Sequence, residues 1–478
     1  MFRAIFNLLL TAAAISVLKS IGDCAPGSGR NWLASFSLAG FIPASFAAIV
    51  TPAVAEPTFY RDILPVLETH CQECHRPGEI APMPFLTYAD TRPWAKSIRE
   101  QVIARKMPPW FADPSFSNAQ QGGVAQLYFA NDRSLSQAQI DTIASWVSAG
   151  APAGDPAAAP PPRQWPQGWN IGTPDEVFEM PAPFAVPASG AIDYQYLILP
   201  TRFTEDRWVQ KVEVRTSSRS AVHHAVVYLR EPGSKWLQDS PRGVMFSLPT
   251  TADHRPNPRS FTTSDLLMVY TPGNSSDQWP PGVAKRIKAG SDLVLQMHYT
   301  ANGAAIQDRT RIGVVFAKQP PKQAVLSLQM SNDRFVIPPG DSNHRVQVSG
   351  TLPNDALLIA MFPHMHLRGK AFEYLITEPQ GRVETLLKVS HYDFQWQLNY
   401  RLAQPRLLKA GTHLTWVGYF DNSPNNAANP DPTAEVRYGE QSWEEMMIGF
   451  FDVVVDAAMD KQKFFQRKTF PLPITVSP

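Results

Sequence analysis

A stretch rich in proline and alanine, Pro152–Pro166, divides this chain of 478 residues into two parts with different periodicity. Such a stretch has no apolar face to bury, so we expect a stiff, extended linker over residues 156–168. Residues 56–155, which precede the linker, place apolar side chains at helical spacing. After the linker come short runs rich in Val, Ile, Phe and Tyr, separated by turn residues, and these predict β-strands. The sequence therefore predicts a multidomain protein, with a small all-α domain followed by an all-β region.

The helices of the first part have recognisable ends. A short helix is predicted at Phe59–Thr69, and Pro93 is typical of the first turn of a second helix. Ser136 and Gln139 form a capping box for a third helix, which is expected to stop at Gly150.

The all-β region is long enough for two domains. Roughly 300 residues of this kind predict two tandem β-sandwiches, at residues 169–320 and 321–478. We place the break in Lys318–Lys322, where two prolines lie between lysines. The clearest predicted strands are residues 222–229, 293–299, 312–316, 357–361, 414–419 and 446–455.

The charge of the chain argues against one class of partner. There are 43 basic and 42 acidic residues and no basic tract, so the sequence gives no indication of a nucleic-acid partner.

Residues 71–75 have the sequence Cys-Gln-Glu-Cys-His. Two cysteines three positions apart on a helical turn can both bond the vinyl groups of a haem, and the following His75 then binds the iron. A zinc half-site or a redox pair is the alternative, but Cys71 and Cys74 have no second cysteine pair to complete a zinc site. Met107 is the preferred second iron ligand and Met83 the competitor, and a thioether ligand suits an electron carrier. A terminal helix packed over the CxxCH helix is the cytochrome c arrangement, so residues 56–155 are predicted to be a cytochrome c-like haem domain.

The N-terminus resembles an export signal. An apolar stretch ends in Ala53-Val54-Ala55, which fits cleavage after Ala55 and makes residues 1–55 a leader segment. An uncleaved membrane anchor is the alternative. Export agrees with the haem motif, because bacteria attach this haem outside the cytoplasm, and we expect a periplasmic or secreted protein.

Five of the 11 histidines lie in three short clusters. His364 and His366 are two residues apart, so on a strand both point to the same face and can reach one ion. His223 and His224 are adjacent, and a regular strand sends them to opposite faces. They can share an ion only if the strand is bulged or twisted there. The alternative is one buried and one exposed histidine.

His298 and Met446 are weak signals when taken singly, because each is more often a core residue than a ligand. As a set, the five imidazoles and the thioether are enough for two copper ions. Imidazole ligands tolerate both oxidation states of copper, and a thioether favours Cu(I). Zinc is the alternative metal, although methionine is a poor zinc ligand.

From about residue 165 to residue 473 the chain resembles the copper type II, ascorbate-dependent monooxygenases, the family of peptidylglycine hydroxylating monooxygenase and dopamine β-monooxygenase. The resemblance implies two tandem jelly-roll domains that hold one copper each and face one another across a solvent-filled cleft. The family's ligand motifs match the first-copper residues His223, His224 and His298 (in Gln296-Met297-His298-Tyr299) and the second-copper residues His364, His366 and Met446 (after Glu444-Glu445).

The resemblance also implies an activity. The first copper accepts an electron, and the second, at His364, His366 and Met446, binds O2 and hydroxylates a C–H bond of an organic substrate. The haem motif is a departure, and our hypothesis is that haem supplies the first copper in place of, or besides, ascorbate, with an external donor reducing the haem. The alternative is a haem and copper electron-transfer or copper-binding protein without oxygenase turnover.

The substrate pocket departs from the peptide-amidating enzymes of that family. Where they hold a substrate carboxylate with arginine, asparagine and tyrosine, this chain has Phe362, Ile448 and Phe450. An apolar pocket offers nothing to offset the desolvation of a carboxylate. The sequence therefore favours a less polar small molecule.

Met446 is preferred to Met447 as a copper ligand, because the Glu-Met stretch of the family aligns with Met446.

Overall fold

The structure is a computed structural model that describes residues 56–117, 119–121, 124–126, 128–248 and 265–465. The predicted leader, residues 1–55, lies outside the described residues, as does the end of the chain after Phe465.

The helices lie almost entirely in the first part of the chain. A π-helical turn, Phe59–Ile63, runs directly into the first α-helix, and short 3-10 turns lie at Arg92–Trp94 and Pro156–Ala158. The α-helices are α1 (Leu64–His70), α2 (Tyr88–Thr91), α3 (Ala95–Ile103), α4 (Pro114–Ser117), α5 (Gln137–Ser148) and α6 (Lys461–Phe465).

Strands make up most of the remainder. They are β1 (Ala119–Gln121), β2 (Val124–Gln126), β3 (Glu176–Glu179), β4 (Phe184–Val186), β5 (Gln195–Pro200), β6 (Arg207–Arg215), β7 (Val222–Arg230), β8 (Phe246–Ser247), β9 (Asp265–Tyr270), β10 (Ser276–Gln278), β11 (Val283–Ile287), β12 (Asp292–Tyr299), β13 (Ile306–Asp308), β14 (Arg311–Phe316), β15 (Gln323–Ser331), β16 (Val336–Ile337), β17 (His344–Thr351), β18 (Ala356–His364), β19 (Gly369–Thr377), β20 (Val383–Val389), β21 (Tyr400–Leu408), β22 (His413–Phe420), β23 (Val436–Arg437) and β24 (Ile448–Asp456).

The helical part has its own small core. Phe59, Leu67, Ile143 and Trp146 are fully buried in one cluster, which joins the first turn and α1 to α5. The predicted capping box of α5 is confirmed, because the Ser136 hydroxyl accepts from the amide of the third helical residue and that residue's side chain accepts from the Ser136 amide. The local sequence signals of this part therefore agree with its helices.

The linker lies against the helical part. Arg163 Nη1 donates to the carbonyl of Glu68 at 2.7 Å, and its guanidinium lies 4.2 Å from the ring centroid of Trp165. Residues 110–112 and Phe129 belong to the core of the C-terminal sheets, so the helical part also packs on the β region.

The β region contains two layered pairs of sheets. In the first pair, the sheet of order β8-β5-β12-β7-β9 packs on the strands β11-β6-β14-β3, with Val212, Val227 and Leu295 between them. In the second, β21-β18-β24-β15 packs on β17-β22-β19-β20, with Leu358 and Trp416 in its core. The predicted predominance of β-sandwiches is confirmed, and the helices of the described residues are few and short.

One sheet runs through both pairs. β11 pairs in parallel with β15, with Val283 opposite Gln323, so that β21, β18, β24, β15, β11, β6, β14 and β3 form a continuous sheet. Lys318–Lys322 lies in the connection between β14 and β15. The proline-rich break marks a change of layer partners, while the hydrogen-bonded sheet continues past it.

A buried lysine supports this junction. Lys285 on β11 is 1% exposed and donates to the carbonyl of Leu266 at 2.7 Å and to the Ser327 hydroxyl at 2.5 Å. Ser327 on β15 in turn donates to the carboxylate of Asp452 on β24. The ammonium therefore has polar partners from strands on both sides of the junction, as a buried charge requires.

Asp277, close to this lysine, gives a test of the junction. Burial is the main cause that raises its pKa to about 6, and the negative charge of Asp452 acts in the same direction. Between about pH 4 and pH 6 the folded chain binds a proton that the unfolded chain releases, so this carboxyl lowers stability as the pH rises through that window. We expect Asp277→Asn to raise the free energy of unfolding by about 1–3 kcal/mol at pH 8 and to change it little at pH 4.

Chemical denaturation of wild type and Asp277→Asn at pH 4 and pH 8 measures this difference in the free energy of unfolding. The exposed Asp333→Asn is the matched control and should be neutral at both. Equal stability of Asp277→Asn and wild type at pH 8 would contradict a charge buried at the junction.

Among the described residues, no helix combines the length and the apolar character needed to cross a membrane.

Candidate metal centre

His223 is the extra residue of a β-bulge. His224 on β7 pairs with His298 on β12, and Val222 pairs with Tyr299, so that the ladder skips His223. The bulge that the adjacent histidines required is therefore present. It brings His223, His224 and His298, all buried, together with ligand atoms within 4.8 Å of one another.

Two of these rings make their hydrogen bonds to the surrounding chain through Nε2. His223 Nε2 lies 3.1 Å from the carbonyl oxygen of Phe394, and His298 Nε2 lies 3.3 Å from the hydroxyl of Ser442. Nδ1 of His298 is buried without a partner, and the Nδ1 atoms of His223 and His224 are 3.2 Å apart. A buried polar atom without a partner is costly, and a metal ion would satisfy Nδ1 of His298 and replace the hydrogen bond between the Nδ1 atoms of His223 and His224.

Burial keeps this set neutral. It lowers the pKa of His223 to about 4 and that of His298 to about 3, and it lowers the pKa of His224 well below its usual value. Neutral imidazole is the form that binds metals, so the three rings are ready as ligands at pH 7. We call His223, His224 and His298 the three-histidine set.

The second pair of histidines lies at a strand end. β18 ends at His364, and His366 lies in the turn that follows, so the prediction that both point to one face of a strand is wrong. The turn nevertheless brings their ring centroids to 5.2 Å. His364 Nδ1 is 2.6 Å from Gln397 Oε1, and His366 Nδ1 is 3.3 Å from the carbonyl of Glu444. His366 Nε2 is buried without a partner, which makes it available to an ion.

Glu445 holds this turn in place. Its carboxylate accepts from the backbone amides of His366 at 2.9 Å and Arg368 at 2.5 Å. Burial raises the pKa of this carboxyl to about 8, although the amide hydrogen bonds act in the opposite direction. The sequence marked Glu445 only as a neighbour of Met446, and its role is to fix the backbone at His366.

Met446 precedes the last strand. β24 begins at Ile448, so the predicted strand start at residue 446 is two residues early. Met446 is 8% exposed and lines a cavity of about 90 Å³ together with His224 and His364, whereas Met447 is fully buried in the C-terminal core. The geometry therefore favours Met446 over Met447 as the ligand. We call His364, His366 and Met446 the methionine set.

The same cavity contains the three apolar residues that the sequence placed in the substrate pocket. Phe362, Ile448 and Phe450 line it, and the two phenylalanine rings are 5.8 Å apart. Their position beside His364 and Met446 agrees with an apolar substrate region.

The two sets are neighbours in this structure. The ring centroids of His224 and His364 are 5.7 Å apart. The Phe394 ring stacks on His223 at 4.2 Å and lies 6.1 Å from His366. The two donor sets are therefore in ring contact through His224 and His364, whereas the family resemblance implied a solvent-filled cleft between them.

In the CxxCH segment, the two thiols and one nitrogen of His75 are left for binding a haem. Cys71 and Cys74 form no disulfide, and burial raises the pKa of Cys71 to about 12. His75 Nδ1 lies 3.0 Å from the carbonyl oxygen of Met83, and the ring stacks on Phe85 at 4.2 Å. This hydrogen bond orients the ring and leaves Nε2 for an iron ion.

Met107 lies in the loop that follows α3. It lines a cavity of about 940 Å³ between the helical part and the loop that carries Phe394, and none of residues 71–75 lines that cavity. Of the two candidate second ligands, Met83 contacts His75 through its backbone carbonyl, and Met107 lines this cavity.

Comparison with known proteins adds little. No family model and no curated protein matches the chain. Among solved structures, the major capsid protein P2 from bacteriophage PM2 has a TM-score of 0.26 and 10% identity, over 59% of this chain and 97% of that one. PNGF-II has a TM-score of 0.26 and 12% identity over 59% and 65%, and VP2 of infectious bursal disease virus has 0.19 and 8% over 60% and 74%. Likenesses this weak carry no argument about the fold or the function.

Proposed function

We propose that the chain is an exported copper monooxygenase that carries its own haem as electron donor. The observation that supports it most is the adjacency of two different buried groups of donors. One has three imidazoles, and the other has two imidazoles, one of which shares a cavity with the Met446 thioether. A single structural metal needs only one such set.

The donor chemistry favours copper in both sets. Three imidazole nitrogens tolerate Cu(I) and Cu(II) alike, which suits an electron acceptor. A thioether favours Cu(I), the state that meets O2, and is a poor ligand for zinc. Bound copper would supply one-electron chemistry at His223, His224 and His298 and activation of O2 at His364, His366 and Met446.

The chain's own residues contribute orientation and exclusion of water. Phe362, Ile448 and Phe450 present apolar surface beside His364 and Met446. Water is displaced when an apolar group occupies this surface, and a substrate carboxylate would lose hydration there without gaining a partner from these three residues. The substrate class that fits is a small, weakly polar organic molecule, and a peptidylglycine does not fit.

The attachment segment fits a haem. Cys71 and Cys74 would hold it covalently, and His75 would bind the iron through Nε2. The contact of Met83 with Nδ1 of His75 is made by its backbone carbonyl and leaves its thioether open as an alternative ligand. Met107 is kept as the preferred second ligand on the sequence, with Met83 as the competitor.

This assignment is tested by a matched pair of variants. We expect Met107→Leu to lose the sulfur-to-iron charge-transfer band of the oxidised haem and to lower the iron potential, because a thioether ligand raises it. Met83→Leu should keep both. Optical spectra and a redox titration measure the two properties, and loss of the band in Met83→Leu alone would assign the ligand to Met83.

An ion cluster supports transfer from haem to the three-histidine set. Glu79, which follows the attachment segment, lies 3.2 Å from Arg76 and 3.2 Å from Arg219, with the three side chains at most 14% exposed. Arg219 lies four residues before His223. The segment that would hold the haem is therefore fixed to the turn that leads into the bulged strand.

Turnover is tested with reductant, ¹⁸O2 and a panel of small aromatic and aliphatic substrates. The proposal predicts one ¹⁸O atom in a hydroxylated product for each O2 consumed, and no product from His364→Ala/His366→Ala. Ascorbate, or another reductant, would serve as the external electron donor in this assay.

The second candidate is a haem and copper electron-transfer or copper-binding protein. The small volume of the cavity beside Met446, about 90 Å³, favours it, because little room is left for a substrate. Reduction of both coppers by way of haem without any product in the ¹⁸O2 assay would establish this candidate instead.

A further inference from the structure

A chain of hydrogen bonds connects the two donor sets. The carbonyl oxygen of Phe394 lies 3.1 Å from His223 Nε2 and 3.3 Å from Gln397 Nε2. Gln397 Oε1 lies 2.6 Å from His364 Nδ1. The chain thus begins on a ligand of the three-histidine set and ends on a ligand of the methionine set.

The carbonyl of Phe394 determines where every proton of this chain lies. A carbonyl oxygen only accepts, so His223 Nε2 must carry a hydrogen. The Gln397 atom that faces the same oxygen must be the NH2 group, so that the amide oxygen faces His364. An amide oxygen also only accepts, and His364 Nδ1 must therefore donate.

These hydrogen bonds leave one ring nitrogen of His223 and one of His364 with a lone pair that can bind a metal ion. With its hydrogen on Nε2, neutral His223 has its lone pair on Nδ1, which is 3.2 Å from His224 Nδ1. With its hydrogen on Nδ1, neutral His364 has its lone pair on Nε2. Hydrogen bonds from the second ring nitrogen orient metal-binding histidines and raise their basicity.

Gln397 is held firmly in this position. Its side chain belongs to a residue that is 1% exposed, and its backbone carbonyl accepts from the Thr271 hydroxyl at 2.6 Å. Thr271 follows β9 of the first layered pair, whereas Gln397 precedes β21 of the second. Gln397 therefore lies in the second layered pair and is held by a hydrogen bond from the first.

We propose that Gln397 is a positioning residue that sets the His364 tautomer directly and holds the Phe394 carbonyl that sets the His223 tautomer, so that it couples the two donor sets. The coupling rests on the proposed function, since it concerns bound copper. The tautomers are a property of the metal-free protein and can be measured without any metal.

Three variants separate the contributions. Gln397→Leu removes both side-chain hydrogen bonds at similar volume. Gln397→Glu keeps an acceptor for His364 and removes the donor to Phe394. Gln395→Leu is the matched control, because Gln395 is exposed on the same loop.

The first experiment is ¹⁵N NMR of metal-free protein labelled at histidine, with resonances assigned by single histidine substitutions. In wild type and Gln395→Leu we expect His364 protonated at Nδ1 and His223 at Nε2. In Gln397→Leu the His364 signal should shift towards the other tautomer, and in Gln397→Glu it should not. Wild-type rings with the opposite tautomers, or a Gln397→Leu spectrum equal to wild type, would overturn the inference.

The second experiment measures copper affinity at each set, with the other set removed by histidine substitution. Loss of a hydrogen bond to a metal-binding histidine typically weakens metal binding by about 10–100-fold. Gln397→Leu should show such a loss at both sets, and Gln397→Glu at the three-histidine set only. A loss confined to the methionine set would overturn the coupling.

The two experiments fail separately. If the wild-type tautomers are as stated but no copper binds, the proposed function is wrong and the positioning role of Gln397 remains. If copper binds as proposed but the tautomers differ, the inference about Gln397 is wrong and the proposed function remains.

Discussion

Replacing His224 and His298 by alanine is expected to remove one of two copper ions and to stop turnover. These residues supply two of the three nitrogens of the three-histidine set, and His223 alone cannot hold an ion against competing buffer ligands. We expect the affinity of this set for copper to fall by more than about 100-fold. That exceeds the loss typical when only a hydrogen-bond partner of a metal ligand is removed. The copper content after dialysis, measured by elemental mass spectrometry, should fall from two ions per chain to one.

His413→Ala is the control for this experiment. His413 is exposed at the start of β22, belongs to neither set, and has its Nδ1 3.5 Å from the Thr351 hydroxyl. It should retain two ions. If the double variant also retains two ions, the three-histidine set does not hold copper.

The second large effect is expected from Cys71→Ala/Cys74→Ala. Without the thiols the haem cannot be attached covalently, and His75 alone would hold it weakly. Because haem is proposed to deliver electrons to the three-histidine set, we expect the coppers of this variant to be reduced by ascorbate roughly tenfold more slowly, a barrier increase of about 1.4 kcal/mol. Stopped-flow mixing under anaerobic conditions, followed by the Cu(II) signal, measures the rate.

The variant must keep its copper content for this comparison to be valid, and equal copper loading before mixing provides that control. Met83→Leu, which keeps the haem in our assignment, should be reduced as fast as wild type. Reduction of the cysteine variant at the wild-type rate would exclude the relay and leave ascorbate as the direct donor.

Local features of the structure could be predicted from the sequence, because they depend on short-range rules. The capping box at Ser136 and Gln139 and the change from helices to strands after the linker follow from spacing alone. The bulge at His223 followed from a chemical condition, since adjacent histidines on a regular strand cannot share an ion.

Long-range features could not be predicted. Gln397 and Phe394 lie far along the chain from His223, and an isolated glutamine in an aromatic loop carries no spacing signal. The closeness of His224 to His364 depends on the parallel pairing of β11 with β15, and such pairing leaves no mark in either strand's own sequence. Met446 was placed on a strand because apolar residues continue through it, whereas the strand begins at Ile448.

The central claim is that one chain builds two different copper sites, one with imidazoles only and one with a thioether. X-ray absorption of the fully Cu(I)-loaded protein tests it most directly, because sulfur and nitrogen neighbours of copper are distinguishable. We predict one sulfur neighbour for every two coppers, lost in Met446→Leu and kept in the matched variant Met447→Leu. A spectrum without sulfur in wild type, or one in which sulfur persists in Met446→Leu, would contradict the account.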